Sequence, residues 1–135
     1  MNCDDQKTPL PESRDSKSID VVIKVIRDEA GAATDIAITQ HGKNLDTLPL
    51  RPDQQIVWQC TDANFKGAHM EIRLDPKFTP FAGHRYGVGV GSKCPSGPTN
   101  DRIFKLARHK INCIVLITTV DGRAFARTFR IDIRC

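Results

Sequence analysis

Long apolar runs are missing from this chain. The longest, around Cys113 to Ile117, falls far short of the ~18 residues that a membrane-crossing helix needs. A secretory opening is missing too. Met1-Asn2-Cys3-Asp4-Asp5 is acidic where a leader is basic, and no apolar stretch follows. These absences predict a soluble, cytoplasmic protein with no membrane partner, although an exported mature form is compatible with the same residues. Close cysteine pairs are also absent. Cys3, Cys60, Cys94, Cys113 and Cys135 include no C-x-x-C, which removes zinc knuckles and thioredoxin-like redox pairs. An odd set of thiols in a reducing compartment reads as free cysteines, some packed as small hydrophobes, whereas export would favour one or two disulfides. Aromatic residues make up only 6%, too few for a platform that stacks bases.

What is present is one domain's worth of chain with alternating β-branched residues. Residues 1–18 hold Pro9, Pro11 and several Ser and Asp but few apolar side chains. Such a segment buries too little to offset the entropy of ordering, so it is expected to be a disordered tail ahead of a domain at 19–135. In Ile19 to Arg27 the odd positions Ile19, Val21, Ile23 and Val25 are all β-branched, which predicts a strand. Thr34–Thr39, Gln55–Cys60 and Ala68–Leu74 repeat the period of two, and Leu48-Pro49-Leu50 reads as extended. Lys110–Val120 is apolar at both odd and even positions, the pattern of a central strand covered on both faces. Asp121-Gly122 then signals a two-residue type I′ hairpin leading into Arg123–Ile133. Thr99-Asn100-Asp101 opens either a short helix or another strand.

About seven short strands without strand–helix alternation predict an all-β, antiparallel two-sheet β-sandwich. Candidate architectures are cupredoxin-like and immunoglobulin-like. Four pieces carry a resemblance to the cupredoxin-like β-sandwich family. They are the Ile19–Ile26 strand, the stretch from Leu48-Pro49-Leu50 to Ile56-Val57-Trp58, Met70-Glu71-Ile72 with Pro80-Phe81 downstream, and the final two strands. The resemblance implies the fold. Copper-binding members take three ligands from one loop between the last two strands, but Asp121-Gly122 holds none and no Cys-His-Met cluster occurs elsewhere. The copper site therefore does not carry over, and no cofactor is expected.

Candidate chemistry is sparse. A displaced copper or zinc site would have to gather His84, Cys94 and His109 across loops, because His109 and Cys113 lie ~13 Å apart along a strand. Cys94 and His84 are also the available nucleophile–base pair, without a recognisable signature around either. Gly87-Val88-Gly89-Val90-Gly91-Ser92-Lys93 matches neither phosphate-loop spacing and reads as a flexible or bulged strand edge. From Arg102 onward the chain carries +6, leaving −2 for the rest and a net +4. That stretch is a candidate for weak anion or nucleic-acid binding, yet Arg123 and Arg127 fall on one strand face and Arg130 and Arg134 on the other, which disfavours nucleic acid. The Pro- and Gly-rich segment 75–101 offers Phe78, Phe81 and Tyr86 to a protein partner. The expectation is a non-enzymatic interaction module that presents this segment to a protein of unspecified identity, with homo-oligomerisation left open.

Overall fold

The computed structural model describes residues 17–62 and 65–134. Most of the tail expected at 1–18 lies outside the described residues, and Ser18 already opens the first strand. Among the described residues the elements run β1 (Ser18–Arg27), β2 (Ala33–Gln40), β3 (Lys43–Asn44), β4 (Thr47–Leu50), β5 (Gln55–Gln59), β6 (His69–Leu74), β7 (Arg85–Gly89), β8 (Cys94–Pro95), α1 (Arg102–Lys105), β9 (Lys110–Thr118) and β10 (Ala124–Ile133). The stretch 101–109, open in the sequence between helix and strand, thus resolves as a one-turn helix behind Asp101. No helix among the described residues is long and apolar enough to cross a membrane.

The strands form two five-stranded sheets, ordered β3-β2-β1-β5-β8 and β4-β10-β9-β6-β7, here called sheets A and B. This is the all-β two-sheet sandwich that the alternation predicts, with two corrections. There are ten strands rather than about seven, because β3 and β8 are two residues long and too short to show a period. The sheets are also mixed rather than antiparallel, because β1 runs parallel to β5 and β4 parallel to β10.

The core lies between the sheets. Ile19, Val21 and Ile23 of β1 face inward, with Ile56 opposite Ile19 and Trp58 opposite Val21. From sheet B come Met70 and Ile72 of β6, Cys113, Val115 and Ile117 of β9, and Phe129, Ile131 and Ile133 of β10. Each large apolar side chain fully removed from water stabilises the fold by ~1.5–3 kcal/mol, which is why the β-branched alternation dominates local preference. Arg127, which interrupts the apolar face of β10, reaches across to Asp35 of β2 in the other sheet at 3.6 Å.

Two local expectations change. The second face of β9 is not covered: Ile114 is 40% exposed, and beyond the strand Val120 is 76% exposed. Sheet B therefore turns a partly apolar face to solvent. The β9–β10 turn is not type I′, which needs two left-handed residues. Only Gly122 is left-handed, with φ of 89°, and its N–H donates to Thr119 C=O. The result is a tight turn closed by a left-handed glycine, with Thr119 donating its hydroxyl hydrogen to the Asp121 carboxylate.

The corner that carries the chain from β4 in sheet B to β5 in sheet A is polar and buried. Arg51 N–H donates to Gln54 Oε1 at 2.7 Å, and both side chains lie inside. Thr99 Oγ1 accepts from Asp53 N–H at 2.9 Å, tying this corner to the 75–101 segment.

Candidate functional site

The segment 75–101 is only partly irregular. It contains β7 and β8, and the remaining stretches are short turns. Its opening turn builds a cleft that joins residues singled out in the sequence. β6 ends where Asp75-Pro76 begins, since proline lacks the N–H that continued pairing would use. Asp75 then folds the chain back: its C=O accepts from Phe78 N–H at 3.1 Å and its Oδ1 from Lys77 N–H at 2.8 Å. β9 runs on past the point where β6 departs. Its last residue opposite β6 is Cys113, whereas Lys110 still pairs with Asp132 of β10. Strand parity aims the Lys110 backbone toward the side that β6 has left.

The gap is a cleft of about 270 Å³, lined by Asp75, Phe78, His109, Lys110, Ile111 and Asn112. Phe78 is 45% exposed and supplies an aromatic wall. The His109 Nδ1 lies 3.2 Å from Leu106 C=O and 3.3 Å from Ala107 C=O. Carbonyls only accept, so these contacts place a proton on Nδ1. Arg102 donates to Pro76 C=O at 3.2 Å, linking α1 to the turn. Arg102, Arg108 and Lys110 are exposed around this end, so the surroundings of the cleft are basic.

The three aromatics expected at a partner surface separate. Phe78 is presented. Phe81 is 1% exposed and bridges to Thr99, so it seals the core rather than meeting a partner. Tyr86 is half-buried, stacked on Trp58 at a centroid distance of 6.3 Å, and its hydroxyl donates to Gly83 C=O at 2.8 Å. Burial pushes its phenol pKa up. Tyr86 is thus a structural ring at the margin of the core.

The residues considered for a metal do not assemble. Cys94 is buried opposite Trp58 on β8, His84 is exposed ahead of β7, and His109 belongs to the cleft. Among the described residues no group of three or more His, Cys, Asp or Glu side chains is placed to hold a metal ion. Burial raises the thiol pKa of Cys94, Cys113 and Cys60, which opposes thiolate formation. All three are free thiols. Of the basic C-terminal residues, Arg123 lies over the Phe125 ring at 5.4 Å, Arg127 pairs with Asp35, and Arg134 pairs with Asp132 at 3.0 Å.

Phe78 and His109 were visible in the sequence, but as members of different sets. Asp75, Lys110 and Asn112 were not, because they become neighbours only through the departure of one strand from another. Asp75-Pro76 at the end of an alternating run was the available signal. Compared with family models, curated proteins and solved structures, the chain gave no match.

Proposed function

We propose that this protein is a non-enzymatic recognition module whose cleft at 75–78 and 109–112 takes a short extended segment of a partner protein. The half-exposed Phe78 ring, set beside a β9 backbone that has lost its strand neighbour, carries the reading. An extended chain matches such a notch, because it can bond to the free strand edge while placing an apolar side chain on the ring. The basic surroundings, with Arg102, Arg108 and Lys110, favour a carboxylate next to that apolar residue.

The likeness to cupredoxin-like sandwiches belongs to this reading at the level of fold alone. The pieces that carry it form β1, β4–β5, β6 and β9–β10, which include the central strands of both sheets. Fold does not supply an activity.

The test is to pan a displayed random-peptide library against the untagged protein and measure the selected peptides by calorimetry. Peptides with an apolar residue beside Asp or Glu should emerge, with Phe78→Ala weakening them about tenfold or more and Tyr86→Phe leaving them unchanged. Enrichment no better than on an unrelated protein, or equal binding by Phe78→Ala, would sink the proposal.

A further inference from the structure

Every open sheet has two edges, and an edge strand that bares its backbone invites another strand. Three of the four edges here are blunted. β8 is two residues long and includes Pro95, and β3 covers only Thr39 and Gln40 of β2, where the Ile36 N–H is instead taken by the Asp35 carboxylate. β4 holds Pro49. Arg130 N–H donates to Asp46 C=O and Arg134 N–H to Leu50 C=O, so the even-numbered residues of β4 face β10 and Pro49 points outward without an N–H.

The fourth edge, β7, is five residues of Arg85-Tyr86-Gly87-Val88-Gly89 with neither proline nor lysine. Val90 N–H donates to Ala68 C=O and Leu74 N–H to His84 C=O, which fixes the ladder parity with β6. Tyr86 and Val88 spend their backbone groups on β6, while those of Arg85, Gly87 and Gly89 point away from the sheet. Gly87 and Gly89 are exposed, and with no side chain that exposure belongs to the backbone itself. Among the described residues, the bond recorded to these outward groups is Ser92 N–H to Gly89 C=O at 3.1 Å.

We infer that β7 pairs antiparallel with β7 of a second copy of this chain about a twofold axis at Gly87, joining two B sheets into one ten-stranded sheet. The strand is complementary to its own reverse. With Gly87 opposite Gly87, Arg85 lies opposite Gly89, Tyr86 opposite Val88, and His84 opposite Val90. Both basic residues fall on one half of the strand and meet only small or apolar residues of the other half. A parallel pairing in register would instead set Arg85 beside Arg85. Space agrees with charge: a Cβ at Gly89 would meet no atom within 4 Å, so that face is open beside the opposing Arg85, whose guanidinium also bonds to Glu71 of its own sheet. On the core-facing side, Tyr86 and Val88 are each half-exposed at the margin, and pairing covers both with an aromatic–β-branched contact. The interface is isologous, so it closes at two copies.

The experiment is sedimentation of the untagged protein from about 1 μM to 1 mM, with variants at Gly89, whose backbone is not left-handed and whose surroundings are open. The wild type should dimerise reversibly. Gly89→Lys sets a second cation opposite Arg85 twice per dimer and should weaken association about threefold to tenfold, while Gly89→Glu should strengthen it by a similar factor. Gly89→Pro removes an outward N–H and should weaken it about tenfold. Unchanged circular dichroism melts at low concentration would confirm that each variant monomer folds. A monomer throughout the range would overturn the inference, and so would a dimer indifferent to the sign of charge at 89. Capture of an unrelated acidic peptide along β7 by a protein that stays monomeric would also overturn it.

Discussion

The two edges of sheet B solve opposite problems. β4 sinks Leu48 and Leu50 into the core at 0% exposure and turns a proline outward. β7 contributes only the half-buried Tyr86 and Val88 to the core and turns bare glycine backbone outward. One edge is anchored by packing and closed to further strands, whereas the other is anchored by its ladder with β6 and left open. Anchorage and accessibility are therefore exchanged between the two sides of one sheet. The Phe78 cleft repeats the open design at a third place, where β6 leaves β9.

The largest expected effect tests the anchorage. Leu48→Ala should cost about 2–5 kcal/mol in urea unfolding, as expected for a fully buried leucine, whereas Val88→Ala should cost about 1 kcal/mol or less. Equal losses at the two positions would erase the contrast. Next in size is amide exchange by NMR in dilute protein. Arg85, Gly87 and Gly89 should exchange at least tenfold faster than Tyr86 and Val88, whose N–H groups bond to β6. Uniform protection along β7 would mean that something already covers it. Pro49→Ala should change stability by no more than about 1 kcal/mol but should raise light scattering at high concentration, since it restores an outward N–H to β4. Scattering no higher than wild type would show that Pro49 is not the guard of that edge.

The smallest effect concerns Glu71, which accepts from Arg73 at 2.7 Å and also from Arg85 of β7. The hydrogen bond from Arg73, then that from Arg85, holds its carboxyl down at about 2. A folded value below the ordinary ~4.3 means the pairing stabilises above that pH and is lost as pH falls toward 2. Both arginines are well exposed, so Glu71→Gln should cost only a few tenths of a kcal/mol at neutral pH. The difference from wild type should vanish near pH 2. A difference that persists there would assign the effect to packing rather than charge.

Much of the sandwich could be read in the sequence because its inward positions alternate. Ile19-Val21-Ile23, Met70-Ile72-Leu74 and Ile111-Cys113-Val115-Ile117 all recur with the spacing a half-buried strand requires. The parallel pairings could not be read, since the direction in which β5 docks on β1 is decided by residues far apart in the chain. The second apolar row of β9 misled for a related reason. Ile114 and Leu116 carry the composition of a covered face, but no element of the described structure lies over them. Of the cleft, the sequence showed Phe78 and His109 but not their proximity, which depends on where Pro76 ends one strand while its neighbour continues.

The pairing of β4 also has a consequence in time. Its ladder partner is β10, with Thr47 opposite Arg130, about eighty residues downstream. At ~5–20 residues per second of synthesis, β4 leaves the ribosome roughly 4–16 s before its neighbour exists. The buried Arg51–Gln54 corner joins it to β5, which can already settle against β1, so the nascent chain carries Leu48 and Leu50 exposed throughout that interval. The outward proline that closes the finished edge guards that same side of the newborn strand, while the side that awaits β10, with the backbone of Leu48 and Leu50, stays open to the wrong neighbour until β10 arrives.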